Sequence, residues 1–571
     1  MSKRLVSAAK PEADNKQKHT AIASQIAQQV FGYEQLRKGQ ADVLSQVLNQ
    51  RDTLAVMPTG SGKSAIYQIA ALRLPGTTVV VSPLIALQQD QVESIQQQGI
   101  VQAALLNSTL SAQARAQVFE QLAAEEIEFL FLAPEQFNNS ETLEALKAVQ
   151  PSLFVIDEAH CISEWGHDFR PDYLQLASVV EQLGRPVTLA LTATASPLVR
   201  QEIIRRLGMR QPAEIVGGFD RPNIHLSVCS FQTEDEKRSH LLERVRQATE
   251  QTETAQTPGI VYVATRRAAE EIAEALQANG LRAKAYHAGM SSSDRTSVQQ
   301  QFMDDETEIV VATCAFGMGI DKPNVRFVFH YHIPGSIDAY YQEVGRAARD
   351  GKAAIATLFY CPDDTKLQRF FSGSAPVDEE TLTEITTLLE TADSTVQTSD
   401  LKSHFDLSAA KLQGALDALE STGFVDCEST GEIVTTESRS SLETTVTQAA
   451  TYQERRQQFE QSQLHMMREY AETRSCRREF ILSYFGDTLS TECQGCDSCD
   501  RTAAKQPTTE EPEGPAYPQP FPLGSRIIHT NFGIGQVLRY EADKVSVLFE
   551  TVGYKTFVTE VIAGSVRCLD S

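Results

Sequence analysis

Short, unbroken apolar runs alternate with helical patterns along the first part of the chain. A run that is apolar at nearly every position suits a strand buried on both faces of a parallel sheet. Such runs lie at 53–57, 79–87, 129–132, 153–156 and 188–194, and helical patterns separate them. The alternation predicts one doubly wound α/β domain over residues 19–215, preceded by a polar, mobile tail at 1–18.

The same alternation begins again further along the chain. Apolar runs at 259–263, 283–287, 308–312 and 325–330 are separated by helical patterns such as 268–276 and 293–302. They predict a second α/β domain with a parallel sheet over residues 216–365.

The pattern then changes to helices. Helical segments at 381–389, 398–405 and 408–419 precede a small hairpin, which predicts a winged-helix-like module at 376–440. A helical spacer without DNA contact explains the same pattern, because no dense Arg/Lys face is visible. A long helical run at 452–485 follows, then a linker rich in Thr, Pro and Glu at 502–518, and short strands that predict a small β-barrel at 519–571.

The amino-acid composition limits the classes of function that are compatible with this chain. The 571 residues include 51 Lys and Arg against 75 Asp and Glu, a net charge of −24, which argues against wholesale coating of nucleic acid or of an anionic membrane. A local basic channel remains compatible with this charge. We find no signal-peptide pattern and no run of 18 apolar residues, so we expect a cytoplasmic protein without a membrane partner, nucleoid-associated if bacterial.

A loop of small residues follows the first predicted strand. Residues 58–64 read Pro-Thr-Gly-Ser-Gly-Lys-Ser and depart from the pattern G-x-x-x-x-G-K-[ST] only because Met57 replaces the first Gly. Backbone N–H groups in such a loop point at phosphates, the Lys reaches the β- and γ-phosphates and the hydroxyl binds Mg²⁺. A plain turn before a helix is the alternative. The predicted ATP and Mg²⁺ site comprises Thr59, Gly60, Ser61, Gly62, Lys63 and Ser64.

Two carboxylates follow the run at 153–156, at the edge where open α/β sheets bind ligands. One of Asp157 and Glu158 could hold Mg²⁺ and the other could orient or deprotonate a water; an acidic turn is the alternative. Within the next residues, rings and a guanidinium on one loop could stack on nucleic-acid bases. These are Trp165, His167, Phe169 and Arg170.

The second α/β domain has no phosphate loop but carries two arginines three residues apart. The sequence pattern predicts a loop-to-helix position for the segment that contains Gln342, Arg346 and Arg349. Either arginine could reach phosphates held by the first domain as an arginine finger, which contributes roughly 10³–10⁵ in rate where it has been measured. A helix start paired with surface acids is the alternative.

Four of the ten cysteines are clustered, whereas the other six are scattered as reduced thiols are. Cys476, Cys493, Cys496 and Cys499 have the spacing C-x16-C-x2-C-x2-C. Four thiolates at such spacing suit a closed, structural Zn²⁺ site, which predicts a zinc-binding module at 441–501. Free cysteines are the alternative.

Residues 31–365 resemble a RecQ-family DNA helicase of superfamily 2, with the motifs in family order. The resemblance implies two RecA-like domains, a box at 157–160 that binds Mg²⁺ and activates water, and an aromatic-rich loop that couples single-strand binding to ATP turnover. It also implies that Ser64 and Asp157 hold the Mg²⁺. The remaining implied site residues are Tyr33, Arg37 and Gln40 for adenine, Gly317 and Asp321 for the nucleotide, and His160, Gln342, Arg346 and Arg349 in catalysis.

Three features depart from the family pattern or extend it. Ala348 stands where the family usually has Gly, so we expect a slightly different helix entry near Arg349. The 476–486 segment resembles the RecQ zinc module, but here the winged-helix-like module precedes it. The barrel resembles the SH3/Tudor-type tail of some UvrD-like helicases, which predicts docking of a protein partner.

The resemblance implies ATP-driven movement 3′ to 5′ along single-stranded DNA and separation of tailed duplexes, in recombination and repair. Two alternatives share the same two-domain ATPase: an RNA helicase, and a translocase or remodeller that does not separate DNA strands. A nucleic-acid scaffold with an inactive ATPase is a third reading, which the intact Lys63, Asp157, Glu158 and Arg349 oppose.

Overall fold

The computed structural model describes residues 11–99, 102–107, 110–166, 168–250, 257–317, 320–372, 376–392, 395–427, 431–436, 441–489, 491–493, 495–504 and 517–569. The chain divides into two compact units, Met1–Phe219 and Asp220–Ser571. Within the described ranges, no helix is both long and apolar enough to cross a membrane.

A parallel sheet forms the centre of the first unit. Its strands are β1 Thr53–Val56, β2 Thr78–Val81, β3 Ala103–Leu106, β4 Phe129–Leu132, β5 Leu153–Ile156, β6 Val187–Thr192 and β7 Ala213–Val216. They pair in the order β3-β4-β2-β5-β6-β1-β7. Because β5, β6 and β1 are neighbours, the loops that follow these three strands meet at one edge of the sheet.

Helices connect the strands of the first unit. They are α1 Pro11–Gln29, α2 Gln40–Leu48, α3 Lys63–Ala71, α4 Ile85–Gln98, α5 Ala112–Ala123, α6 Ser140–Val149, α7 Leu176–Gln182 and α8 Pro197–Arg206. Short 3₁₀ helices span Pro134–Asn138, Ala159–Ile162 and Pro171–Gln175. The apolar faces of α1, α2 and α3 pack with β1, β2 and β5 in one buried core.

Sequence patterning predicted the central strands of this sheet but not its edges. The strands β3 and β7 were not predicted: Glu214 interrupts the apolar run of β7, and β3 is a short apolar run that is half-exposed at its two central residues. The prediction of a strand over 79–87 is wrong beyond Val81, because Pro83 lacks the N–H that a strand needs and α4 begins at Ile85. Helix α1 begins at Pro11, inside the predicted tail; residues 1–10 lie outside the described residues.

A second parallel sheet opens the second unit. Its strands are β8 Ile224–Ser230, β9 Gly259–Tyr262, β10 Ala283–Tyr286, β11 Ile309–Ala312, β12 Phe327–His330 and β13 Ala354–Tyr360, in the order β10-β11-β9-β12-β13-β8. The helices are α9 Glu234–Glu250, α10 Arg266–Ala278, α11 Ser292–Met303, α12 Ile337–Val344 and α13 Asp364–Ser372. Strands β8 and β13 were not predicted; β8 is the edge strand and is buried at only two positions.

A small mixed module follows. Its elements, in chain order, are α14 Glu379–Thr391, β14 Val396–Gln397, α15 Thr398–Phe405, α16 Ala409–Ser421, β15 Val425–Cys427 and β16 Glu432–Thr435. The strands pair antiparallel in the order β14-β16-β15. The order helix, strand, two helices and hairpin contains the three predicted helices, and its apolar residues form one core with the start of the next helix.

The rest of the second unit is helical and then antiparallel. The helices are α17 Leu442–Glu472, α18 Arg477–Tyr484 and α19 Asp497–Ala504. The final elements are β17 Arg526–His529, β18 Gly533–Glu541, β19 Lys544–Phe549, β20 Gly553–Val558, α20 Thr559–Ala563 and β21 Val566–Cys568. The five strands pair antiparallel in the order β20-β19-β18-β17-β21, where the sequence predicts a barrel; we call residues 519–569 the C-terminal β-domain.

The C-terminal β-domain packs against α17 and α18. The buried ring of Tyr554 stacks on Phe459 of α17, with ring centroids 6.1 Å apart, and on Tyr484 of α18, with centroids 5.0 Å apart. Arg539 lies over the ring of Phe480, 3.9 Å from its centroid. Aromatic side chains therefore hold the domain on the long helix.

Candidate functional site

The phosphate loop connects β1 to the N-terminus of α3. Gly62 has φ 78°, a left-handed conformation that costs Gly little, and Lys63 is the first residue of the helix. A Cβ atom at Gly62 would lie 2.7 Å from Nε2 of Gln40, so the position also lacks room for a side chain. The helix N-terminus and its N–H groups therefore face the loop, as a phosphate site requires.

Gln40 and Arg37 contact this loop directly. Gln40 Nε2 donates to the carbonyl oxygens of Ser61 at 3.0 Å and Gly62 at 2.8 Å, and its Oε1 accepts from the backbone N–H of Arg37 at 2.7 Å. The Arg37 guanidinium donates to the Gly60 carbonyl. Both side chains therefore fix the shape of the loop, and adenine reading by Tyr33, Arg37 and Gln40 stays a prediction.

The acidic pair lies at the carboxyl end of β5. Glu158 has φ 48°, a strained conformation that is concentrated at functional sites, and its N–H donates to Asp157 Oδ1 at 3.0 Å. Burial, together with the nearby Glu158 charge, raises the pKa of Asp157 to about 7, and Lys63 opposes this shift. A carboxyl group so placed is stabilised as an anion by a cation beside it.

His160 joins the acidic pair to the end of β6. Its Nδ1 lies 2.9 Å from Thr192 Oγ1 and 3.4 Å from Glu158 Oε2, and the ring is buried. Thr192 Oγ1 also donates to the Thr194 carbonyl at 3.1 Å. A chain of polar contacts therefore runs from Glu158 to the next strand of the sheet.

The polar atoms around the loop suit a nucleotide with Mg²⁺. Within the described chain, Ser61 Oγ, Thr194 Oγ1 and Glu158 Oε2 are buried and make no hydrogen bond. Buried polar atoms of this kind are usually satisfied by a partner, and hydroxyl and carboxylate oxygens are the ligands that Mg²⁺ prefers. Ser64 and Asp157 carry oxygens of these two kinds and both interact with Tyr67, so they are chemically suitable to hold the ion.

The loop after the acidic box is anchored to α8. Ser163 Oγ donates to Glu202 Oε2 at 2.5 Å, and Arg206 donates to Glu202 Oε1 at 2.6 Å and to Glu164 Oε1 at 2.5 Å. A Cβ at Gly166 would lie 2.5 Å from the His160 carbonyl oxygen, so the loop closes tightly on the box. A change at the loop can therefore reach His160 through backbone contact.

The four predicted base-stacking residues differ in their surroundings. Trp165 is half-buried, whereas Phe169 is only 8% exposed and its ring is not accessible to a base, contrary to the prediction. Burial is favoured because the apolar ring packs in the interior of the first unit. Arg170 donates to the Pro83 carbonyl at 2.9 Å and pairs with Asp168 at 3.4 Å, and His167 lies outside the described residues.

The arginine segment of the second unit, which carries Arg346 and Arg349, follows the end of a helix. The predicted loop-to-helix position is therefore wrong. Helix α12 contains Gln342 and ends at Val344, and turns follow from Gly345 to Asp350. Ala348 has φ 51°, a left-handed conformation that does not fit a right-handed helix, and no helix entry follows Arg349. The Gly usual at this position is explained by the same backbone conformation.

Several contacts hold these arginines in place. Arg221 donates to the carbonyl oxygens of Ala347 at 2.8 Å and Ala348 at 3.1 Å. Arg349 pairs with Asp321, with Nη1 and Oδ1 2.5 Å apart. Within the part of the chain that the structure describes, Nε of Arg346 and Nε of Arg349 are buried without a hydrogen bond, so each guanidinium keeps donor capacity for an anion.

The four clustered thiols come together. The Sγ atoms of Cys476, Cys493, Cys496 and Cys499 all lie within 4.8 Å of one another. A tetrahedral Zn²⁺ with Zn–S bonds of about 2.3 Å separates its sulfurs by about 3.8 Å, so the donor set fits this ion. The contact between the Sγ atoms of Cys476 and Cys496, which lie 4.0 Å apart, lowers the pKa of Cys496 and raises that of Cys476, whereas the form of each that binds metal is the thiolate.

The cysteine module covers the edge strand β8. Leu226 N–H donates to the Gly495 carbonyl at 3.0 Å, and Val228 N–H donates to Asp497 at 3.2 Å. Arg478 pairs with Asp220 at 2.6 Å and donates to the Ile224 carbonyl at 3.0 Å. An open strand edge is a site of unwanted pairing, so this cover protects the second sheet.

Sequence reasoning did not single out the residues that support these sites. Glu202, Arg206, Arg221 and Arg478 are distant in sequence from the groups they hold. A charged residue whose partner lies far along the chain gives no local signal of that partner. Only the Arg477-Arg478 pair after Cys476 was visible as part of a pattern.

Three family models match the chain in the order of its domains. They are the DEAD/DEAH box helicase at residues 37–202, the helicase conserved C-terminal domain at 236–351 and the RecQ zinc-binding domain at 437–500. The first includes the phosphate loop and acidic box, the second the arginine segment and the third the four cysteines.

Known proteins of the same kind match over most of the chain. It is 41% identical to a probable ATP-dependent DNA helicase RecS of Bacillus subtilis, over 64% of this chain and 72% of that protein. It is 36% identical to the ATP-dependent DNA helicase RecQ of Haemophilus influenzae, over 85% of this chain and 64% of that protein. With RecQ of Bacillus subtilis it shares 34% identity over 86% of this chain and 68% of that protein.

Solved structures share the fold. A DNA-bound DUF1998 helicase MrfA has a TM-score of 0.52 at 15% identity, over 73% of this chain and 62% of that one. The DEAD-box helicase Mss116 bound to single-stranded RNA has a TM-score of 0.51 at 16% identity, over 74% of this chain and 92% of that one.

Proposed function

The chain belongs to the RecQ family of ATP-dependent DNA helicases, and we propose that it couples ATP hydrolysis to 3′-to-5′ movement along single-stranded DNA and to separation of tailed duplexes. One observation supports this proposal most. Lys63, Asp157 and Glu158 lie at the same edge of the first sheet, and the loop that follows the acidic pair is anchored to α8. DNA recombination and repair, the work typical of the family, are the proposed context.

In the proposed reaction, the residues of the first unit bind and orient the nucleotide. The N-terminus of α3 and Lys63 bind its phosphates, and Glu158 accepts a proton from the attacking water. Mg²⁺, held by Ser64 and Asp157, would neutralise charge on the phosphate oxygens. His160, in contact with Thr192, keeps the Glu158 carboxylate in position.

The aromatic-rich loop is the proposed link between DNA and hydrolysis. A base that stacks on an aromatic ring gains about 1–3 kcal/mol, which is enough to shift the loop without holding the strand permanently. Trp165 is the ring we assign to this contact, since Phe169 is buried. Arg346 and Arg349 are proposed to supply positive charge to the transferred phosphoryl group. Asp321, which pairs with Arg349, and Gly317, which lies near Arg346, are proposed for the same site, as is Gln342.

The cysteine cluster is proposed to hold a structural Zn²⁺ through all four thiolates. A closed set of four ligands leaves no position for substrate, so the ion contributes to stability and not to hydrolysis. Its loss would uncover β8, because the residues that cover this strand lie next to Cys496.

The two remaining modules have narrower proposals. The order of elements from α14 to β16 is that of a winged helix, and we propose that it contacts duplex DNA. We also propose that the C-terminal β-domain, similar in pattern to an SH3/Tudor-type tail, docks a protein partner. The face with Tyr554 already packs on α17, so a partner would use another face; unchanged partners after deletion of 519–571 would overturn this.

Unwinding of duplexes with either a 3′ or a 5′ single-stranded tail tests the main proposal, with Lys63→Ala as control. Unwinding only from the 3′ tail, lost in the control, is the expected result. DNA-stimulated hydrolysis without unwinding would instead identify a translocase or remodeller. Stimulation by RNA but not by DNA would identify an RNA helicase, which shares the fold of this engine.

A further inference from the structure

A groove of about 700 Å³ lies where the C-terminal β-domain meets the long helix α17. Its walls are one side of α13, one face of α17 and the strand β20. The volume is in the range of small-ligand sites and leaves room for phosphate groups and one or two nucleotides, not for a folded partner. The packing of Tyr554 on Phe459 keeps two of these walls together.

The groove is basic in an acidic protein. Four cationic or potentially cationic side chains line it: Arg369, His465, Arg468 and Lys555. None of the lining residues that the structure describes is Asp or Glu, although the whole chain has 75 acidic residues. A local concentration of positive charge of this kind attracts polyanions.

The cationic groups are incompletely neutralised by the acids behind them. Arg468 Nε lies 3.6 Å from Glu472 Oε2, too far for a hydrogen bond, and makes none within the described chain. His465 Nε2 lies 3.4 Å from Glu469, and Arg369 and Lys555 form no ion pair with another residue that the structure describes. The groove therefore keeps net positive charge and free donor capacity at its surface.

Uncharged amides complete the lining. Gln457, Gln458 and Gln461 follow one another along the α17 face, and each side chain offers both donors and acceptors. Arginine and lysine bind phosphates without reading sequence, whereas amides can also bond sugar or base edges. The mixture suits the backbone of a flexible nucleic-acid strand better than an acidic peptide.

We propose that this groove is a second binding site for single-stranded DNA, which engages backbone phosphates through Arg369, Arg468 and Lys555. This proposal rests on the proposed function only for the identity of the bound strand as DNA. The charge of the groove by itself favours any phosphate-bearing ligand. It gives the C-terminal β-domain a direct role in holding DNA, since β20 contributes Lys555.

The first test is the salt dependence of DNA binding by the full chain in the absence of nucleotide. The triple variant Arg369→Ala, Arg468→Ala, Lys555→Ala should bind a labelled oligo(dT) roughly tenfold more weakly, and the slope of log affinity against log salt should fall by about 2. A control with Arg238→Ala, Arg246→Ala and Arg267→Ala changes net charge equally outside the groove. Equal slopes for the triple variant and wild type would overturn the proposal.

A footprint of Lys555 separates the two possible phosphate sources. Oligo(dT) should protect Lys555 from acylation, read by mass spectrometry, whereas exposed Lys544 on the same domain should remain reactive. Protection by pyrophosphate but not by oligo(dT) would overturn the strand assignment in favour of a small phosphate ligand. ATP hydrolysis without DNA should be unchanged in the triple variant. If the proposed function were wrong, the wild type itself would not hydrolyse ATP, so this failure is distinguishable from failure of the groove proposal.

Discussion

Ser163 Oγ donates a hydrogen bond to the buried carboxylate of Glu202, 2.5 Å away, and so ties the start of the aromatic-rich loop to α8. Arg206 binds the other oxygen of the same carboxylate and also Glu164, so two residues of the loop and two of the helix share one polar network. The loop begins directly after His160. Its position is therefore coupled to the group that holds Glu158.

Removal of the Glu202 carboxylate should uncouple DNA binding from hydrolysis. A hydrogen bond to a charged group contributes about 1.5–3 kcal/mol, so Glu202→Ala should reduce DNA stimulation of ATP hydrolysis roughly 10- to 100-fold. The rate without DNA should change little, because no catalytic group is removed. Hydrolysis measured against oligonucleotide concentration checks this, with Glu214→Ala as control, since Glu214 also pairs with an arginine of α8. Full stimulation in Glu202→Ala would contradict the coupling.

Glu158→Gln should abolish hydrolysis while preserving nucleotide binding. The amide has the size of the carboxylate but cannot accept the proton of the water, and loss of a general base costs roughly 10²–10⁴ in rate. Single-turnover hydrolysis and fluorescence of a bound ATP analogue measure the two effects separately. Lys63→Ala, which removes a phosphate contact, should instead lose affinity. A rate within tenfold of wild type would exclude Glu158 as the base.

Ala348→Gly should stabilise the second unit slightly. A residue other than Gly at φ 51° lowers the free energy of unfolding by about 1–2 kcal/mol, and Gly relieves this strain. The greater flexibility of Gly in the unfolded chain lowers the same free energy by about 0.5–1 kcal/mol. The expected net gain is up to about 1.5 kcal/mol, seen as a small rise in Tm. Ala348→Val should have the opposite effect. Ala353→Gly, at a position outside the left-handed region, is the control, and a gain there as large as at 348 would argue against strain as the cause.

Removal of the predicted zinc should unfold the cysteine module. Formation of structural zinc sites provides about 10–16 kcal/mol in small peptides, so Cys496→Ser or a strong chelator should expose β8 and increase proteolysis between 441 and 504. Metal analysis should find one zinc per chain in the wild type. Cys568→Ser lies outside the cluster and should keep both the metal and the protease resistance. An unaltered digestion pattern after chelation would argue against a structural metal.

Tyr554→Ala should release the C-terminal β-domain from α17. Loss of a buried aromatic side chain costs about 3–5 kcal/mol, here from the stacking on Phe459 and Tyr484. Hydrogen exchange should then increase in β20 and along α17. Val561→Ala, with a side chain 70% exposed in the same domain, should change exchange by little. Equal protection in the two variants would mean that other contacts hold the domain.

Local sequence determined much of this protein. The buried strands β1, β4 and β5 appear as unbroken apolar runs, and the phosphate loop, the acidic pair and the four cysteines are each contiguous or closely spaced. Such features are visible because neighbours in sequence are neighbours in space. The family resemblance, carried by the same motifs, agrees with the relatives found.

Only the tertiary structure decided which side chains are accessible and which distant residues support the site. Burial of Phe169, the turn that carries Arg349 after the end of α12, and the cover of β8 by the cysteine module depend on packing between segments far apart in sequence. The basic groove likewise unites residues of α13, α17 and β20. No local pattern specifies such contacts, because their stability comes from burial and charge pairing that exist only once the chain has folded.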